Sequence, residues 1–167
     1  MELSGSGYLY TLAILCITFA TMSAIVVVLR HTTGAPFSSF ELHLTKLYVE
    51  EAFLVAGLSM LPVLLSLLAI PHPLVWQVVS VIGAAALGVH GYAMARRRRA
   101  VTRDRLPTSV WIMLTIRALL VLALLANAMA IPIEINAGVY SAIVSYFLGH
   151  ACFLFSVRLN AFLAGAV

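Results

Sequence analysis

Arg96-Arg97-Arg98-Arg99-Ala100-Val101-Thr102-Arg103-Asp104-Arg105 is the stretch on which the fold turns. Six arginines fall within ten residues, and the chain on either side is almost free of charge. Lys and Arg collect beside the cytoplasmic ends of membrane spans. The cluster therefore predicts a membrane protein and orients it, with this segment inside.

Composition agrees. The 167 residues are 63% hydrophobic and 10% charged, and the mean hydropathy is +1.07. Soluble domains carry about 25% charged and about 45–50% apolar residues. A hydrocarbon layer roughly 30 Å thick takes about 20 apolar residues per helix. Most of the chain is committed to such spans, which leaves no stretch for a soluble catalytic domain. The net charge of +4 would by itself bring nucleic acid to mind. Charge beside membrane spans is already explained by orientation, so no nucleic-acid partner is expected. Cys16 and Cys152 both fall in apolar runs, and no Cys-x-x-Cys spacing is present.

Five apolar runs can be drawn outward from the cluster, over residues 8–29, 49–70, 74–95, 109–131 and 138–160. Pro71, Pro73, Pro107 and Pro132 punctuate them. Pro62, inside the second run, predicts a kink. The first run is too long for a cleavable signal core and reads as a retained span. With the cluster inside, Arg30, Lys46, Arg103, Arg105 and Arg158 also fall inside, while the outer side carries Glu2 and Glu134 and no Lys or Arg. Four spans would force Arg30, Arg158 or the cluster outside. The reading is an all-α, polytopic bundle of five transmembrane helices. It forms one membrane domain over residues 1–167 in the plasma (inner) membrane, with the N-terminus out and the C-terminus in.

Between the first two spans, residues 38–48 set Phe40, Leu44, Leu47 and Tyr48 on one helical face and His43, Lys46 and Glu50 on another. This pattern predicts either an amphipathic helix at the inner interface or an extension of the second span. Residues 96–106 read as an inner basic loop whose Arg96, Arg97, Arg98 and Arg99 meet anionic lipid headgroups, at about 1 kcal/mol per basic side chain. In the fifth run Gly138, Ala142, Ser145 and Gly149 share a narrow face, the kind of small-residue stripe that lets helix backbones approach closely. It serves packing within the chain or between copies of it.

Candidate polar residues are few. Arg117 lies about ten residues beyond Pro107, roughly 15 Å along its helix at 1.5 Å per residue, where a charge costs from about 3 kcal/mol upward. It snorkels, pairs, or serves an ion or substrate. Glu51, on the apolar face at the mouth of the second span, is its expected partner. His150 sits mid-way along the fifth span and His90 near the inner end of the third. Asn127, with Asn136 and Glu134 in the next loop, forms an expected outer mouth. His31, His43 and His72 have no metal-ligand spacing, and no metal or other cofactor is expected.

Catalytic signatures are missing: no Gly-x-Ser-x-Gly, no His-Glu-x-x-His and no phosphate-binding glycine loop occurs. An enzyme is therefore not expected. The function expected from these residues is that of a homo-oligomeric ion channel or transporter with a polar path near Arg117 and His150. Two alternatives remain open. One is a non-conducting scaffold or accessory subunit bound to another membrane protein. The other is a haem-binding redox protein using His90 and His150, whose depths differ by roughly 6 Å at 1.5 Å per residue.

Overall fold

In the computed structural model, residues 5–32, 39–68, 70–102, 108–131 and 135–164 are described, and they form helices with no strand among them. Their order is α1 (Ser6–Thr32), α2 (Ser39–Ser66), α3 (His72–Thr102), α4 (Thr108–Ala128) and α5 (Ala137–Ala164). All five are long and apolar enough to cross a membrane. Length and composition of this kind fit an integral membrane protein with transmembrane helices.

Helix formation in apolar surroundings requires that every polar group find a partner close at hand. The hydroxyls show how the chain manages this. Thr11, Thr18 and Thr21 donate to the carbonyls of Gly7, Ile14 and Ile17 at 2.8–3.0 Å. Ser23, Ser59 and Thr115 donate to Phe19, Val55 and Trp111 at 2.7–2.9 Å. Each bond closes back on the preceding turn, so these side chains place no polar demand on a neighbouring helix.

Two helices run further than their apolar residues. The stretch 38–48 is continuous with the second span from Ser39, and no break separates an interfacial helix from it. Leu47 and Thr45 in it are buried and Lys46 is exposed. The side chains of Phe40, His43, Leu44 and Tyr48 lie outside the described ones. Likewise α3 continues through Arg96–Arg99 to Thr102, so the expected basic loop begins as helix. Arginine is a good helix former, and Arg99 in the last turn faces the negative end of the helix dipole. A span estimated from hydropathy stops at the last apolar residue, whereas the hydrogen-bond ladder does not.

The end of α4 differs in the other direction. The fourth run extends to Ile131, but the helix closes at Ala128. Ile131 N–H donates to the Ala126 carbonyl and Ala130 N–H to the Asn127 carbonyl, at 3.0 and 3.2 Å. Ala130 sits at φ 57°. This is a Schellman closure with alanine where glycine is usual, and it ends the helix before Pro132, a residue outside the described ones.

The helices fall into two groups. The first holds Leu61–Ile143, that is, the end of α2, all of α3 and α4, and the start of α5. Its core is the α3–α4 pair. Val110, Arg117 and Leu124 of α4 are buried at a strict seven-residue spacing, which places them in one line two turns apart. On α3, Val79, Ser80, Gly83, Ala84, Leu87, Gly91 and Met94 are buried, with the exposed Val81, Ile82, Val89 and Tyr92 on other faces. Trp76 of α3 meets Tyr140 of α5 with ring centroids 5.9 Å apart.

The second group holds Gly7–Met60 and the chain from Val144. Leu9, Leu12, Ala13, Cys16, Ala20 and Ser23 make one buried line on α1, at the spacing of a helix face. Tyr8 and Ser145 share a hydroxyl–hydroxyl bond of 2.7 Å, and Phe19 meets Phe155 edge-on at 6.0 Å. Both contacts join α1 to α5. The division between the groups falls at Met60–Leu61 in α2, next to the buried Pro62, which stays within the helix and has no N–H to give to the ladder.

Candidate functional site

Three polar constellations stand inside the described helices. In the first group, Arg117 is 6% exposed, and its Nη1 lies 2.8 Å from Nδ1 of His90. A guanidinium carries donors only. Nδ1 must therefore accept, which makes His90 a neutral imidazole with its proton on Nε2. The Arg117 stem lies along α3 at Gly91. A Cβ placed on Gly91 would come within 2.6 Å of Arg117 Cδ, so glycine is what lets the side chain lie there.

Arg117 also lines a cavity of about 410 Å³ between α3 and α4. From α3 come Gly88, Gly91, Tyr92 and Ala95. From α4 come Leu114, Ala118, Val121 and Leu122 beside Arg117. Tyr92 and Leu122 are exposed, so the rim stands open on the outward faces of both helices. The wall is almost wholly hydrocarbon, with Arg117 and Tyr92 its residues that carry polar groups. At the end of α3 nearest the basic run, the Arg99 guanidinium stands 6.0 Å from the centre of the Trp111 ring on α4, the geometry of a cation–π contact.

The second constellation lies in the other group. Glu51 is 1% exposed, and its Oε2 stands 3.2 Å from Nδ1 of His150. With the carboxylate ionised, Nδ1–H donates to it. With the carboxyl protonated, its O–H donates to Nδ1. Tyr146 stacks nearly parallel to the His150 ring, at 6° and 6.5 Å between centroids. Glu51 and Arg117, expected as partners, each contact a histidine of their own helix group. Glu50 points elsewhere, toward Lys46 one turn before it, at 3.9 Å. Contacts this long between exposed groups stabilise little.

The third constellation closes one end of the α3–α4 pair. Asn127, 6% exposed, donates Nδ2–H to Ser80 Oγ at 2.9 Å. Its Oδ1 accepts the backbone N–H of Asn136 at 2.9 Å. Asn136 Oδ1 in turn accepts the N–H of Gly138 at 2.6 Å, which makes Asn136 the N-cap of α5. Asn127 and Asn136 do come together, as the expected mouth required, but as a helix cap and its support. Glu134, the charge of that mouth, lies outside the described residues.

The cap also changes the reading of the fifth-helix stripe. A Cβ on Gly138 would meet Asn136 Oδ1 at 2.9 Å, so this glycine serves the cap. Ser145 is taken by Tyr8. Ala142 and Gly149 are exposed, with open space around Gly149. Of the remaining histidines, His72 is exposed at the start of α3, and the side chains of His31 and His43 lie outside the described ones. Among the described residues no three His, Cys, Asp or Glu side chains gather closely enough to hold a metal. His90 offers no lone pair to a haem iron while Arg117 holds Nδ1 and the proton sits on Nε2. Arg96, Arg97 and Arg99 are exposed, and Arg98 is half-buried.

The Arg117–His90 contact was missed in the sequence, yet a signal for it exists. His90 and Arg117 are equally far from the midpoint between Arg103 and Asp104, and so are Ser80 and Asn127. Two consecutive helices folding back on each other bring such residues to one level. No known protein family matches the chain, and no curated protein or solved structure matches it either.

Proposed function

We propose that the chain is a small integral membrane transport protein for an anionic solute, with the Arg117–His90 pair as its binding site. The observation that carries this reading is that Arg117 stands in the wall of the α3–α4 cavity, whose lining does not include Glu51. By charge alone Arg117 suits an anion, whereas Glu51 and Glu134 suit a cation. Glu51 is enclosed beside His150 and takes no part in that wall. A guanidinium remains charged at any physiological pH, so an electropositive point inside an apolar wall selects for negative charge.

Five spans are few to surround a solute path, and the exposed Ala142 and Gly149 support assembly of several copies through α5. The setting is the plasma (inner) membrane, N-terminus out and C-terminus in, with Arg96, Arg97 and Arg99 against anionic lipid. Uptake of radiolabelled benzoate and chloride into proteoliposomes at pH 8 tests the reading. Anion uptake well above empty liposomes is expected, and uptake equal to empty liposomes for both anions contradicts it.

A second reading has its own support. The open face at Gly149 and the satisfied pairs Glu51–His150 and Asn127–Ser80 suit an accessory subunit whose polar groups are internal ties. Co-purification of another membrane protein at fixed stoichiometry, without uptake, favours that reading. A Soret band in the purified protein would instead mark a haem protein.

A further inference from the structure

We infer that the open side of the α3–α4 cavity holds one acyl chain of an anionic phospholipid, with the lipid phosphate on Arg99. The inference goes beyond the transport reading and takes nothing from the charge of Arg117. The alignment of two helix faces is its first support. Gly88, Tyr92 and Ala95 of α3 line the cavity. Arg99 comes next on that face, at the spacing of a helical stripe. On α4, Leu114 and Ala118 line it, and Trp111 precedes them on the same face. Arg99 and Trp111 meet, with the guanidinium 6.0 Å from the ring centre. Their contact closes the groove at its basic end.

The second support is the fit of a lipid tail. The lining is almost wholly hydrocarbon, so a tail gives up nothing polar by lying there. Tyr92 and Leu122 at the rim are exposed on helices apolar enough to cross a membrane, so the groove opens sideways, where bilayer chains lie. Gly88 to Arg99 is eleven residues, roughly 16 Å at 1.5 Å per residue. One leaflet supplies half of a hydrocarbon layer roughly 30 Å thick. A chain that starts at Arg99 therefore has the whole groove beside it. Arg117, 6% exposed, lies at the back of the cavity, deeper than the rim.

Charge is the third. Arg99 is exposed, as are Arg96 and Arg97. A guanidinium over an aromatic face carries its N–H donors in its own plane, and that fork suits phosphate oxygens. Tryptophan favours the headgroup level of a bilayer, and Trp111 is 51% exposed. A basic neighbourhood of this kind favours a lipid with net negative charge over a zwitterionic one.

Photolabelling in nanodiscs tests the site. Full-length protein is photolysed with phosphatidylglycerol carrying a diazirine on one acyl chain and, separately, with phosphatidylcholine carrying the same chain. Peptide mass spectrometry reads the labelled positions. Residues 88–95 and 114–122 should be labelled about fivefold more by phosphatidylglycerol, the weight of one basic side chain at a membrane surface. Arg99→Gln should bring that labelling down to the phosphatidylcholine level. Arg97→Gln, a change on another face of α3, should leave the preference in place. Ala118→Phe fills the groove and should lower labelling by both lipids. Equal labelling by the two lipids, or equal losses in Arg97→Gln and Arg99→Gln, overturns the inference. So does a preference that survives Arg99→Gln, or labelling unchanged in Ala118→Phe. Lipid-selective labelling without benzoate uptake sinks transport and leaves this site. Uptake without lipid preference does the reverse.

Discussion

Two histidines in this protein each contact a buried ionisable side chain, and the surroundings of the two pairs differ. His150 and Glu51 enclose a carboxylate that is 1% exposed. His90 holds a guanidinium that is nearly as buried, at 6%, but that also forms part of a cavity wall. Burial alone therefore does not separate a structural charge from a functional one. On the proposed reading, the cavity beside Arg117 does. In the Glu51 pair the imidazole can compensate the charge it touches. In the Arg117 pair a neutral imidazole accepts from the guanidinium and helps to fix its position.

The largest expected effect comes from removing a histidine where a buried carboxyl group stays behind. His150→Ala should cost about 3 kcal/mol of stability, the scale for taking a hydrogen-bond partner from a buried ionisable group, read from SDS-induced unfolding in mixed micelles. Restoration of most of that loss in the double variant His150→Ala with Glu51→Leu would mark the pair as structural. No loss in His150→Ala would remove the distinction drawn here.

Next is His90→Leu. It takes an acceptor from a guanidinium, for about 2 kcal/mol. Anion uptake should fall with it because Arg117 is no longer held at the wall. Stability lost with uptake unchanged would make His90 a packing residue only.

Smaller effects come from two glycines. Gly91→Ala puts a methyl group 2.6 Å from Arg117 Cδ, and overpacking of this kind costs about 1–2 kcal/mol. Gly149→Ala meets nothing within 4 Å and should stay within about 0.5 kcal/mol in the isolated chain. If Gly149→Ala changes the cross-linked oligomer pattern while leaving unfolding unchanged, the exposed part of the α5 stripe is an interface between copies.

What could be read in the sequence follows from range. The five helices were legible because hydropathy is a local property, summed over about 20 residues. Their ends were less so. The Schellman closure at Ala130 rests on backbone geometry that an alanine does not announce, and α3 outruns its apolar residues because arginine propagates a helix well. Arg117 stood out as the basic residue that topology left in the hydrocarbon. Its contact with His90 did not, because depth along the spans sets His90 beside His150, whereas the contact follows from α3 and α4 pairing so that residues equidistant in sequence from Arg103–Asp104 meet. The Glu51–His150 contact, 99 residues apart in sequence, had no local trace. The cavity had none either, since space between helices is a property of packing.

Benzoate uptake by proteoliposomes carrying wild type, Arg117→Gln or Glu51→Gln, run side by side at equal protein, tests the difference between the two charges most directly. Wild type and Glu51→Gln should take up benzoate well above empty liposomes, and Arg117→Gln should fall about tenfold or more, the loss of one charge-assisted hydrogen bond to the solute. Uptake that survives in Arg117→Gln, or that is lost equally in both variants, contradicts the assignment of Arg117 as the solute-binding charge.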